Sequence, residues 1–270
     1  MDDRPIGVFD SGLGGLTTVR ELCRLLPEED IVYFGDTGRV PYGSRSRETI
    51  VKYARQDVAF LRTFDLKTIV IACGTVSTTA LDVLAAENPI PVLGVVAPAA
   101  RAAARATRSG SIGLIGTQAS IRSGAYERLI RAENPAARVL AQPCPLFVPL
   151  VENGRFRPGD VVIETVAAEY LAPLKEAGVD TLVLGCTHYP LLEKVIGAYM
   201  GPEVRLINSG AEGARAAADC LRERDALAGP GRGSCRCFVS DRQEGFSRLA
   251  STFLGWDVAQ AVEQVDISQY

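Results

Sequence analysis

The chain has 270 residues, 47% of them apolar, and carries 29 Lys+Arg against 32 Asp+Glu for a formal net charge of −3, which excludes a protein built around nucleic-acid backbone. No run approaches the ~18 apolar residues of a membrane span, and the acidic opening MDDRPIGVFDSG lacks the basic-then-apolar order of a signal peptide. Seven scattered cysteines predict reduced thiols in a cytoplasmic protein, not a disulfide framework, and the length favours two lobes over a single core.

Short β-branched runs alternate with stretches of helical period, the pattern of an α/β fold. Residues 6–9 read as a buried strand, and the turn at Asp10-Ser11-Gly12 leads to a helix over 15–26. Residues 31–34 form a second strand, followed by a polar loop over 36–45 that contains Pro41-Tyr42-Gly43. Val51, Ala54, Val58 and Leu61 then mark one face of a helix. Residues 68–72 are apolar apart from Thr68, as expected of a strand covered on both faces, and end at Cys73. Further strands are expected at 111–115, 138–140, 181–184 and 237–239. Val162, Val166, Tyr170 and Leu174 place a helix before the 181–184 strand. Gly and Pro mark residues 229–233 as a surface loop.

The halves of the chain echo one another. The strand ending at Cys73 aligns with the one ending at Cys186, Gly7-Val-Phe with Gly113-Leu-Ile, and the alanine-rich run at 100–104 with that at 214–218. Two related α/β lobes follow, each offering a cysteine where a strand ends. In open α/β sheets that end is where ligands bind.

A lone cysteine at a strand end is usually a small buried hydrophobe. Matched placement in both lobes, each before small polar residues and a helix whose amides favour a thiolate, points instead to paired functional thiols. His188, two residues after Cys186, is placed to hold a proton for that thiol. Asp10 and Glu152 are the carboxylates near the two sites; read alone, they are a turn residue and a solvated charge. Cys235 and Cys237 lack the second pair of a zinc ribbon, and a single histidine excludes a His-rich metal centre. Neither a complete dinucleotide fingerprint nor a phosphate loop occurs, and none of the four lysines follows a strand end, so no cofactor is expected. Two thiols facing one small molecule can remove a proton from one side and return one to the other, which inverts a stereocentre. The intervening carbanion then needs fixed donors, and Ser11, Thr75, Thr117, Thr187 and the amides at Tyr42-Gly43 are of suitable type.

Four motifs, in order, resemble glutamate racemases of the aspartate/glutamate racemase family: Asp10-Ser-Gly-Leu-Gly-Gly-Leu16, Asp36-Thr-Gly-Arg-Val-Pro-Tyr-Gly43, Ala72-Cys73-Gly-Thr75 and Gly185-Cys-Thr-His-Tyr-Pro190. Pro143-Cys144-Pro145 with Pro149-Leu-Val-Glu152 resembles a fifth. The resemblance spans about residues 6–253. It implies two pseudo-symmetric flavodoxin-like lobes with mainly parallel, doubly wound sheets and a site in the cleft between them. Residues 1–96 with 208–270 would form one lobe, and 97–207 the other. It further implies cofactor-independent interconversion of L- and D-glutamate, supplying D-glutamate to peptidoglycan synthesis. Cys73 would be the base acting on D-glutamate, assisted by Asp10. Cys186 would act on L-glutamate, assisted by Glu152 and His188. Asp10, Ser11, Pro41, Tyr42, Gly43, Gly74, Thr75, Thr117, Thr187 and His188 would contact substrate. Glutamate is the expected small-molecule partner, with no nucleic acid or membrane; a homodimer stays open.

One position departs from the pattern. The family usually has Asn after the first catalytic cysteine, and here Gly74 removes those side-chain donors while keeping the amide. On that basis alone, restoring Asn is expected to lower the Michaelis constant or leave it unchanged. Rival readings are an aspartate or hydantoin racemase of the same superfamily and a non-catalytic amino-acid-binding relative. The full Gly-Cys-Thr-His-Tyr-Pro run and both retained thiols weigh against them.

Overall fold

A computed structural model describes residues 1–241, 246–257 and 262–270. The first part of the chain runs β1 (Ile6–Asp10), α1 (Leu16–Leu25), β2 (Ile31–Gly35), α2 (Arg47–Leu61), β3 (Thr68–Ile71), α3 (Gly74–Thr79), α4 (Leu81–Glu87) and β4 (Val92–Gly94). The middle continues with α5 (Val96–Ala106), β5 (Ser111–Gly116), α6 (Gln118–Arg122), α7 (Ala125–Glu133), β6 (Arg138–Pro143), α8 (Phe147–Glu152), α9 (Val161–Glu176) and β7 (Thr181–Leu184). It closes with α10 (Glu193–Met200), β8 (Arg205–Asn208), α11 (Ser209–Glu223), β9 (Cys235–Val239), α12 (Phe246–Leu254) and β10 (Val262–Gln264).

These strands form two sheets, parallel at every pairing, in the orders β10-β9-β2-β1-β3-β4 and β6-β5-β7-β8. Every residue of β1, β2, β3 and β7 is buried, as parallel strands covered by helices on both faces require. Each sheet is doubly wound: the chain leaves its first strand to one side, then crosses to the other. The switch points therefore fall between β1 and β3 in one sheet and between β5 and β7 in the other, where open α/β sheets bind ligands.

The sequence duplication lies in one register. Gly7 sits opposite Ile69, and Gly113 sits opposite Leu182, the equivalent partner in the second sheet. The two alanine-rich runs lie in α5 and α11, which each follow the fourth strand of their half and pack against each other. Gly213 permits that close approach, since a Cβ on it would stand 2.6 Å from the Val95 side chain just before α5, whereas the buried Ala214 and Ala218 of α11 share a core with Leu16, Val19 and Leu22 of α1. β9 and β10 add to the outer side of the first sheet.

The helix expected from Val162, Val166, Tyr170 and Leu174 is present as α9, but of those four only Leu174 is buried. In α9 the buried row is Ile163, Ala167, Leu171 and Leu174, while Val162 is exposed and Val166 and Tyr170 are half-buried. Two apolar rows run side by side there, and only one faces the second sheet. β4, β8 and β10 were not read from the sequence; each has three or four residues and no sustained apolar alternation. Among the described residues no helix is long and apolar enough to cross a membrane.

Candidate active site

The carboxyl ends of β1, β3, β5 and β7 converge on a cavity of about 400 Å³. Ser11, Pro41, Tyr42, Gly43, Cys73, Gly74, Thr75, Thr117, Glu152, Cys186, Thr187 and His188 all line it. Asp10 does not; it lies beneath the lining, 1% exposed. Thr75 and Thr117 meet across the boundary between the sheets, Oγ1 to Oγ1 at 3.0 Å, and Thr17 donates to the carbonyl of Thr187 at 3.0 Å. Both sheets therefore contribute to one site.

Cys73 stands where β3 turns into α3, and its thiol donates to Ser11 Oγ at 3.4 Å. Burial pushes this thiol up to about 12, and the neighbouring Asp10 adds to the rise. The amides of Val76 and Ser11 pull the other way without overcoming burial. The helix amide of Val76 thus favours the thiolate, as expected, but burial outweighs it and holds the unliganded group as a thiol. Asp10 accepts from the Gly12 amide at 3.2 Å through Oδ2, while buried Oδ1 has no hydrogen-bond partner. Burial also raises the Asp10 carboxyl.

The second thiol has different surroundings. Cys186 is followed by a 3₁₀ turn at Tyr189–Leu192, which Pro190 helps to set, and an α-helix starts only at Glu193. The expected helix N-terminus directly after Cys186 is therefore not present. Its neighbour is His188, whose Nδ1 lies 3.9 Å from Sγ and whose Nε2 lies 3.0 Å from Glu152 Oε1. Burial alone would lower the imidazole, but Cys186 and Glu152 together raise it to about 10. At neutral pH it is an imidazolium wedged between a sulfur and a carboxylate. The Phe253 ring meets it edge-on at 5.3 Å, and a Cβ on Gly14 would lie only 2.6 Å from Nδ1, so α12 and the loop before α1 fix the ring.

Two features change how the lining is understood. The Tyr42 hydroxyl turns away from the cavity to bond Asp36 and lies 3.2 Å from Asp57, so toward a ligand this residue offers backbone. Arg39 ties the same carboxylates together at 2.6 Å and 2.8 Å and stacks over Tyr53, bracing the Pro41–Ser44 wall. The second feature is at Gly74, where an added Cβ would stand 2.6 Å from the Gly185 carbonyl oxygen. The missing side chain is thus matched by a backbone-to-backbone approach across the cleft. Val40, Ser44, Gln118, Cys144 and Val148 also line the cavity without having been singled out as contacts. Each is adjacent to a residue or motif already named, which is the only signal the sequence holds for them.

Fold and site together define a two-sheet α/β enzyme with one thiol from each switch point in a shared cavity. The profile of the family described as Asp/Glu/Hydantoin racemase matches residues 9–217, and the chain belongs to that family. A glutamate racemase from Geobacter metallireducens is 49% identical over 94% of both chains. The crystal structure of the Francisella tularensis glutamate racemase in complex with D-glutamate superposes with a TM-score of 0.92, at 37% identity and full coverage of both chains. That of the Thermus thermophilus glutamate racemase in complex with beta-chloro-D-alanine gives 0.89 at 44% identity, again over both full chains.

Proposed function

We propose that this chain interconverts L- and D-glutamate without a cofactor, using Cys186 and Cys73 as the acid–base pair on opposite faces of the α-carbon. The observation that carries the reading is the delivery of one thiol from each switch point into one cavity. From L-glutamate, Cys186 Sγ takes the α-proton while the His188 imidazolium beside it balances the charge. The carbanion is held by the hydroxyls of Ser11, Thr75, Thr117 and Thr187 and by the amides of the Tyr42-Gly43 wall. Cys73, kept as a thiol by burial, delivers its proton to the other face. In the reverse direction the unpartnered Asp10 Oδ1 accepts the Cys73 proton.

Residues 1–96 with 208–270 form one lobe in this reading and 97–207 the other, hinged where α5 and α11 cross. The product serves peptidoglycan synthesis in the bacterial cytoplasm. Cys73→Ala and Cys186→Ala should each abolish racemisation of L-glutamate followed by circular dichroism, while glutamate binding survives. Near wild-type turnover in either variant, or faster turnover of L-aspartate than of L-glutamate by the unmodified enzyme, contradicts the reading.

A further inference from the structure

One buried carboxyl near the cavity has no part in the proton transfers above. Asp57 sits in the second half of α2, fully buried, behind the wall that Tyr42 and Gly43 present to the cavity. Asp36, equally buried, directly follows β2, and Arg39 bridges the two carboxyls. Its Nε donates to Asp36 Oδ2 at 2.6 Å and its Nη2 to Asp57 Oδ1 at 2.8 Å. The Tyr42 hydroxyl reaches both as well, bonding Asp36 Oδ2 and lying 3.2 Å from Asp57 Oδ2.

A phenol has one O–H and can give it to only one carboxyl. The shorter of the two Tyr42 contacts is the one to Asp36. Asp36 also accepts from Arg39 and, through Oδ1, from the hydroxyl of Ser240 at 2.7 Å, so three donors converge on it. Asp57 receives Arg39 alone, and its Oδ2 faces a phenol oxygen whose hydrogen points elsewhere. Two acceptors at that distance need a proton between them, and Asp57 is the group that can supply it. Burial first, and then the Asp36 charge, push the Asp57 carboxyl well above the usual carboxylate range; Arg39 and Tyr42 oppose the rise and Asp10 adds to it. Burial likewise raises the Tyr42 phenol, which therefore keeps its own hydrogen.

The resulting chain of donors ends at the cavity wall. Tyr42 opens the turn Tyr42–Ser44, and a Cβ on Gly43 would stand 3.1 Å from Thr117 Cβ, so the turn is seated closely against the second sheet. Anchoring the phenol fixes how far the Tyr42 and Gly43 backbone stands into the cavity.

We propose that Asp57 is a positioning residue: a neutral carboxylic acid that donates through Oδ2 to the Tyr42 hydroxyl and thereby fixes the backbone wall against which substrate binds. The effect on substrate rests on the catalytic reading above, whereas the proton on Asp57 does not. Asp57→Asn keeps the shape, the neutral charge and both a donor and an acceptor, and should hold kcat/KM for L-glutamate within about twofold of the parent. Asp57→Leu has neither donor nor acceptor and should lose about tenfold, the worth of one hydrogen bond. Tyr42→Phe should lose a similar factor, and the double variant Tyr42→Phe/Asp57→Leu little more than either alone, because both changes cut the same link. Glutamate affinity by calorimetry should fall in the same order, so a chain that binds glutamate without turning it over refutes the catalytic reading and not the wall. The infrared difference spectrum between the unmodified chain and Asp57→Asn at neutral pH should contain the carbonyl stretch of one un-ionised carboxylic acid, with any Asp10 signal cancelling. Absence of that band, or a loss in Asp57→Asn as large as in Asp57→Leu, would show an Asp57 anion paired with Arg39 and overturn the proposal. Additive losses in the double variant overturn the link through Tyr42. Should Asp57→Leu fail to fold, Asp57→Asn and the infrared spectrum decide the question without it.

Discussion

Replacing Glu152 with Gln isolates the electrostatic half of the Cys186 site. Glu152 Oε1 lies 3.0 Å from His188 Nε2 and is one of the two groups that raise the imidazole from 6.5 to about 10. Glutamine keeps the shape and removes the charge, so the imidazole must fall. A histidine raised to about 10 stays protonated through neutral pH and loses its proton only as pH climbs through that value. The unmodified enzyme should therefore hold a flat kcat/KM through neutral pH and lose activity as pH passes about 10. In Glu152→Gln that alkaline limb should move down. If the whole rise were lost, only about 3% of the histidine would be charged at pH 8, bounding the loss at about 30-fold. The true loss is smaller, because Cys186 remains and Glu152, 35% exposed, is partly screened by water. At pH 6 the two enzymes should be nearly equal. Because enantiomers have equal free energy, kcat/KM must change equally in both directions, and any asymmetry is confined to kcat and KM separately. Circular dichroism assays from L- and D-glutamate over pH 6 to 10.5 supply the profile. The same loss at pH 6 and pH 8, with the limb unmoved, would refute the imidazolium argument.

Gly74→Asn and Gly74→Ala should both lower kcat, contrary to the sequence-based expectation that Asn restores a contact. A Cβ needs about 0.7–1 Å more room from the Gly185 oxygen than it has, and a misplacement of that size can cost up to ~10²-fold. An Asn variant as good as the parent would show that the walls part freely. Lys67→Met should destabilise the fold by about 3–5 kcal/mol in urea denaturation, since it strands Glu29 in the interior. Both side chains are almost fully buried, and Lys67 also donates to the carbonyls of Asp2 at 2.6 Å and Ala226 at 3.0 Å. Adding Glu29→Gln should recover part of the loss, and a single variant as stable as the parent would refute the pairing.

What could be read from the sequence was what repeats or alternates. The buried strands at Ile6, Ile31, Thr68 and Thr181 are continuous apolar runs, and the Gly7–Gly113 and Cys73–Cys186 offsets mark equivalent sheet positions. Short edge strands such as β10 owe their existence to a neighbour's backbone, which leaves no trace in their own side chains. The same holds for the site. The named residues meet in one cavity, apart from Asp10 beneath it, but Cys73's thiol character comes from burial that no local spacing encodes. The Gly74–Gly185 approach is likewise a contact between residues far apart in sequence, and no spacing rule predicts it.

Isotope incorporation in deuterium oxide tests the two-thiol mechanism most directly. Starting from L-glutamate, the first D-glutamate should carry deuterium at the α-carbon, delivered by Cys73 after its S–H has exchanged with solvent. The remaining L-glutamate should stay largely protonated, because monoprotic Cys186 holds the abstracted proton and tends to return it. Early D-glutamate that retains the substrate's own proton would mean that one group serves both faces, and the paired-thiol account would be wrong.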